Sequence, residues 1–292
     1  MRLAGPDSHV HLFVASLELT PKWRIGAGIE IPPNLIRVLE NWGLLAPLEE
    51  TALHVGNILQ QDYRDRSVLS KTPLDPFCKE KYGAPHLCIH RVDFQKILID
   101  EARRLGVEIQ LGITIKKIDF ATPAVHLKSG QVHEAVLVLG ADGQGSVTRE
   151  LLLGHPDPPL PCGDTVYRML LKQEDMRKHE SSSVLLDPLD FQMWSGPGGH
   201  AIAYALKRGD EYNVCITQPD PSEPVFRETK VDINVLRPLF PKWDPRLRQL
   251  LNIATMASKW ALLENSDAPH WVHPEGKFAL VGDAAHAMYP FL

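Results

Sequence analysis

The stretch GKFALVGDAAHAMYPFL, residues 276–292, decides how the rest of the chain is read. Residues 278–281 are apolar and end in a β-branched valine, the pattern of a buried strand. Gly282 and Asp283 then place a turn and a carboxylate at the carboxyl end of that strand, where open α/β sheets bind ligands. An ionised carboxylate only accepts hydrogen bonds, which suits sugar or ribitol hydroxyls. The same side chain would equally cap a helix that begins at Ala284.

Working outward, residues 135–139 form a second continuous apolar run, as a strand covered on both faces should. They deliver Gly140-Ala141-Asp142-Gly143-Gln144-Gly145-Ser146-Val147-Thr148-Arg149 to the mouth of a sheet. Amides and a carboxylate converge there, although any Asp-Gly pair also makes a plain turn. Nearer the start, Ile25-Gly26-Ala27-Gly28-Ile29-Glu30-Ile31-Pro32-Pro33-Asn34 leads into a helix with Leu35, Val38, Leu39 and Trp42 at helical spacing, closed by Gly43. Ile31 stands where a third glycine belongs, so Gly26-Ala27-Gly28 fails the dinucleotide fingerprint. His90-Arg91-Val92-Asp93-Phe94 opens another helix, with Asp93 as its cap, Phe94, Ile97, Leu98, Ala102 and Leu105 on one face and Gly106 at its end. An arginine at a helix start is not favoured by the macrodipole, so Arg91 needs an anion, either a pyrophosphate or a surface carboxylate.

These four segments resemble the FAD-dependent aromatic-ring monooxygenases, specifically their salicylate-hydroxylase-like branch, and they span nearly the full chain. The resemblance implies FAD as cofactor, with Gly282, Asp283, Asp142, Gly143, Arg91, Ala27 and Gly28 on the flavin nucleotide. It also implies an acidic residue for the adenosine ribose, at Glu18 in one register or lost at Val14 in the other; Glu18 as a plain loop residue fits as well. NAD(P)H would reduce the flavin, O2 would add to give a C4a-hydroperoxide, and a phenol-like aromatic or related small molecule would be hydroxylated. Tyr167-Arg168 and Gly199-His200-Ala201-Ile202-Ala203-Tyr204 resemble strands lining the family's substrate pocket. There Arg168 would hold a substrate carboxylate or phenolate and Tyr204 would donate to a phenolic oxygen; a solvated strand arginine and a core tyrosine are the alternatives. His286 reads as structural rather than catalytic.

Relative to the family, the chain starts beyond the first strand and its glycine loop and stops inside the last motif. The expectation that follows is weak or absent FAD binding, a colourless preparation, and unpaired strand edges beside residues 10–14 and 278–281. Two other readings stay open. One is a catalytically inactive remnant acting as a binding module; the other is a flavin enzyme of another reaction type, such as an epoxidase.

Composition narrows the class. At 292 residues, 44% hydrophobic and 23% charged, the chain is ordinary globular material large enough for two domains. A net charge of -5 without a Lys/Arg block gives a nucleic-acid surface no support. Cys78, Cys88, Cys162 and Cys215 form no Cys-x-x-Cys pair and no zinc-like set, so they read as reduced thiols of a cytoplasmic protein. No run approaches the length of a membrane span, and the opening residues are not a signal peptide.

The expected fold class is α/β, or α+β overall: an incomplete FAD/NAD(P)-binding Rossmann-like domain carrying an inserted, mainly antiparallel substrate domain. Residues 1–160 and 267–292 are assigned to the first and 161–266 to the second. Strands are expected at 10–14, 107–118, 124–127, 135–139 and 278–281, and then at 166–171, 183–186, 191–194, 201–206, 212–217 and 260–263. Residues 231–251 read as helical around Pro238 and Pro241, and 48–81 as polar, turn-rich chain in which the charged run 62–66 is a loop or hairpin.

Overall fold

Parallel strands occur in one part of the chain and a large, almost wholly antiparallel sheet in the other. The computed structural model describes residues 9–16, 28–206 and 210–288. Their contacts separate two compact units: residues 9–16, 100–162 and 262–288 form one, and 28–99 with 163–261 the other. The expected division, drawn where the strand texture changes near residue 164, kept residues 28–99 with the first unit; by contacts they go with the second. Residues 28–99 cluster with the second unit because the strand Asn57–Asp62 pairs in parallel with Phe191–Gly196 and carries its hairpin partner Val68–Pro73 onto the same sheet.

In the first unit, His11–Val14 runs parallel to Glu108–Leu111, and Val138–Gly140 runs parallel to Phe278–Leu280. A three-stranded antiparallel meander comprises Ile115–Asp119, Ala124–Leu127 and Val132–Glu134. The expected single strand over 107–118 is thus two strands. Gly112 breaks it at φ +70°, a left-handed conformation that glycine adopts without a Cβ penalty. Ile118, Leu152, Phe278, Leu280, Ala284 and Ala285 form the buried core of this unit, so both loops that follow the 138–140 and 278–280 strands are anchored on it.

The second unit is built on an eight-stranded sheet, which buries Tyr167, Met169, Leu171, Trp194, Tyr212, Val214 and Ile216 against the helix Pro245–Ile253 and its neighbours. The expected antiparallel strands around 166–171, 191–194, 201–206 and 212–217 are present; the first is part of a longer strand, Leu160–Lys172. Residues 183–186 are not a strand. They follow the short helix Glu180–Ser183, because the Ser182 hydroxyl donates to the Met176 and His179 carbonyls and holds the turn. Residues 231–251 are helical only in part: a strand, Thr229–Asp232, and two 3-10 turns precede the helix at Pro245. The stretch 48–81 also holds more order than its polarity suggested, including the edge hairpin and the helix Phe77–Tyr82. In the helix Pro33–Asn41 the buried face is Ile36 and Leu39, while Val38 and Trp42 are exposed.

One buried charge ties the hairpin to the sheet and to the last long helix. Asp244, with no exposed surface, accepts from Trp194 Nε1 (2.8 Å), from the Arg246 backbone N–H (2.8 Å) and from its guanidinium. Arg246 in turn donates to Gln61 Oε1 (2.6 Å), and Gln61 Nε2 donates to Gln192 Oε1 (2.7 Å). Burial pushes the Asp244 carboxyl up, but the hydrogen bonds from Arg246 and Trp194 outweigh it and hold the group below its ordinary value. Asp244→Ala is expected to cost roughly 3–5 kcal/mol in urea denaturation, because it strands a buried guanidinium and an indole N–H. A group depressed in this way contributes stability above the unfolded carboxylate pKa. The wild-type advantage should therefore be full at neutral pH and fade as the pH falls through the folded value.

Candidate functional site

The two glycine-aspartate loops leave the same end of one parallel strand pair. Val138, Leu139 and Gly140 stand opposite Phe278, Ala279 and Leu280, and the Val281 N–H donates to the Gly140 carbonyl (2.9 Å), extending the pairing to the turn. Both chains run in one direction, so both loops emerge at the carboxyl edge that sequence reasoning singled out. Gly140 is needed for the approach, since a Cβ there would lie 2.3 Å from Thr148 Oγ1 and 2.9 Å from Leu280 Cδ2. Gly143 (φ +81°) and Gly282 (φ +60°) adopt backbone that L side chains avoid, with open space where a side chain would go.

Asp142 and Asp283 are handled differently. The Asp142 carboxylate faces its own loop, accepting from Ser146 Oγ (2.5 Å), Thr148 Oγ1 (2.6 Å) and the Thr148 N–H (2.9 Å). Ser146 caps the helix Val147–Leu153 by accepting the Arg149 N–H (2.9 Å). Asp142 therefore shapes the turn, in which Gly143 and Gly145 have open space where a side chain would lie. Asp283 is the first residue of the short helix Asp283–His286. It is exposed, and its carboxylate has no hydrogen-bond partner among the described residues. Gly282 holds the cap position expected for Asp283. His286 lies with its ring 5.1 Å from that of Trp271, a packing role.

Arg149 joins the two loops. It has no exposed surface, and its guanidinium donates to Asp157 Oδ2 (2.5 Å), the Ser266 carbonyl (2.5 Å) and the Ala285 carbonyl (2.8 Å), with Ala284 O at 3.4 Å. Ser266 Oγ donates to the other Asp157 oxygen (2.6 Å). Burial raises the Asp157 carboxyl, yet the hydrogen bonds from Ser266 and Arg149 win and lower it. Gln144 adds a second seam, donating to the Leu263 carbonyl (2.6 Å) and accepting from Asn265 Nδ2 (3.1 Å). Sequence reasoning noted Arg149 only as part of a motif. Its burial depends on Asp157, Ser266 and Ala285, which no spacing rule connects.

The remaining site residues belong to the second unit. Arg91 is the exposed first residue of the helix Arg91–Arg104; the Val92 N–H is taken by His90 Nδ1 (3.2 Å), so Asp93 lies within the first turn instead of capping it. Gly28 opens the strand Gly28–Ile31, and a Cβ there would meet Tyr204 Cε2 at 2.4 Å and its hydroxyl at 2.9 Å. Gly28 and Tyr204, assigned to different ligands from sequence, are thus packed together. Tyr204 is buried and stacks on Phe191 (4.6 Å between centroids, 12° between planes) in a cluster with Cys88, Ile202 and Leu206. Burial pushes its phenol well above the ordinary value, so it stays protonated. Arg168 lies over the Trp260 ring at 4.7 Å and pairs with Glu228 at 3.1 Å. Ala27 and Glu18 lie outside the described residues.

No family model matches the chain. Among curated proteins it is 32% identical over 282 residues to the FAD-dependent monooxygenase OpS4 of Beauveria bassiana, covering 94% of this chain and 66% of that protein. It is 28% identical over 283 residues to 3-hydroxybenzoate 6-hydroxylase 1 of Aquipseudomonas alcaligenes, covering 94% and 69%. The chain spans about two thirds of the length of the curated relatives it matches. The salicylate hydroxylase substrate complex has the same fold at a TM-score of 0.78 and 22% identity, covering 97% of this chain and 74% of that one. CtdE in complex with FAD and a substrate gives a TM-score of 0.80 at 18% identity, covering 95% and 75%.

The joint between the loops has a measurable worth. Arg149→Met is expected to lower the unfolding free energy by roughly 1–3 kcal/mol in urea, since it leaves the partly exposed Asp157 without its cation and the Ser266 and Ala285 carbonyls without their donor. Arg149→Lys should recover only part of this, because an ammonium cannot reproduce the planar fork.

Proposed function

The chain belongs to the FAD-dependent aromatic-ring monooxygenases, and on that premise we propose that its paired loops hold a flavin nucleotide for the hydroxylation of a phenol-like aromatic or related small molecule. The observation that carries this reading is the shared exit of both glycine-aspartate loops from one parallel pair, with Asp283 exposed and unpartnered. These residues fit such a ligand. Glycine turns leave room for close backbone approach, and a free carboxylate accepts from hydroxyls as a ribityl chain requires.

Gly282 and Asp283 would take the ribityl hydroxyls, and the amides from Gly143 onward the pyrophosphate, with Asp142 fixing their direction from behind. Arg91, Ala27, Gly28 and Glu18 are added to the set on the family resemblance alone. When bound, FAD would supply the redox chemistry, drawing reducing equivalents from NAD(P)H and activating O2 toward the ring. The chain's own share is to bind, orient and keep water out. Tyr204 stays neutral and can donate or accept a hydrogen bond, or stack, but cannot carry a negative charge; Arg168 supplies an N–H to a ring substituent. No described helix is long and apolar enough to cross a membrane. With four free cysteines, a cytoplasmic setting is the one we propose.

FAD added in excess should quench on binding, and Asp283→Ala should weaken its affinity by about tenfold through loss of charge-assisted hydrogen bonds. Fluorescence titration of both proteins checks this. Equal affinities would remove the assignment, and no binding by either would favour the inactive remnant over the hydroxylase.

A further inference from the structure

Gly28 opens the strand Gly28–Ile31 with no left-handed backbone, so its conformation does not call for glycine. Space is what calls for it. A Cβ there would lie 2.4 Å from Tyr204 Cε2, 2.9 Å from its hydroxyl and 2.7 Å from Leu206 Cδ2. The leucine methyl can turn aside, but the tyrosine ring is buried and stacked on Phe191, so it gives little. Ordinary contact begins near 3.4 Å, and an alanine would therefore force strand and ring about 1 Å apart. Gly28 is itself buried, which leaves it almost no surface for a nucleotide to meet. It stands in register with His90, whose Nδ1 accepts from the Val92 N–H (3.2 Å), and Arg91 follows as the exposed first residue of its helix. Arg91 is close enough for its charge to act on the Tyr204 phenol.

Resting on the flavin reading above, we propose that Gly28 is a positioning residue: by giving the Tyr204 ring its seat, it sets His90 and hence the point at which Arg91 offers its guanidinium to the anion of the nucleotide. The family resemblance puts Gly28 on the flavin nucleotide by contact. The packing makes its effect indirect, through the Tyr204 ring on one side and Arg91 on the other. Ile31, Leu87 and Ile89 hold the strand pair in a second core, while Cys88 shares the buried cluster of Tyr204 and Leu206. A displacement imposed at Gly28 is therefore passed to His90 through their pairing, because neither core has slack to absorb it. A guanidinium bound to a phosphate oxygen depends on that placement, since its hydrogen bonds are directional.

The test is fluorescence titration of the full chain with FAD in two double-mutant cycles. Gly28→Ala should weaken FAD affinity by about tenfold. Made in a Tyr204→Leu background, which empties the contested space, the same change should cost less than about twofold relative to Tyr204→Leu alone. In an Arg91→Gln background it should also cost less than about twofold, because the route to the nucleotide is already cut. Thermal unfolding of each variant establishes that it is folded. Should Gly28→Ala alone not fold, the protein carrying both Gly28→Ala and Tyr204→Leu should fold and bind FAD as Tyr204→Leu does; its failure to do so overturns the proposal. Unchanged affinity in Gly28→Ala, or a loss that persists in full in either background, overturns this proposal and leaves the flavin reading standing. A wild type that binds no FAD overturns the flavin reading itself, and this proposal with it.

Discussion

A guanidinium with no exposed surface must find acceptors for its donors inside the protein, and Arg149 finds them on three separate segments. Asp157 supplies the opposing charge, and the carbonyls of Ser266 and Ala285 supply direction. The last of these belongs to the short helix that Asp283 begins, so a cation sits at the carboxyl end of that helix, where its dipole favours one. The helix Val147–Leu153 carries Arg149 and is itself set by Ser146 and Asp142. Through this one side chain, the internal order of the first loop fixes the position of the second. Asp283 can then be exposed and still be held in place, because its backbone is determined from behind.

The second unit solves a similar problem in two ways. Asp244 is saturated by an indole, a backbone amide and a guanidinium, which makes it a joint between the edge hairpin, the sheet and a helix. Arg168 is neutralised but not saturated. The first arrangement serves stability, since every donor has an acceptor. The second leaves one buried N–H without an acceptor among the described residues.

Much of this was legible in the sequence where local physics is decisive. The apolar runs at 135–139 and 278–281 announced the parallel pair, trimmed to Val138–Gly140 and Phe278–Leu280, and the glycines after them announced loops that only glycine can turn. The antiparallel strands from 166 to 217 were readable from their length and their turn residues. What escaped was decided at a distance. The 57–73 hairpin is polar along its exposed edge strand and owes its place to the open side of Phe191–Gly196, a partner more than a hundred residues away. Residues 183–186 carry strand-like Val-Leu-Leu, but the Ser182 hydroxyl turned the chain helical just before them. Asp142, expected on the nucleotide, turns its carboxylate to the hydroxyls and amide of its own loop, contacts that no spacing rule announced. Arg149 was visible as a letter in a motif, while its acceptors could be known only from the fold.

The direct test is hydrogen-deuterium exchange of the full chain with and without excess FAD. If the paired loops grip the nucleotide, amides of 141–146 and of 281–287 gain protection together, while the meander at 115–134 is unchanged. Protection of neither loop, or of one alone, would contradict a shared site built on the Arg149 joint.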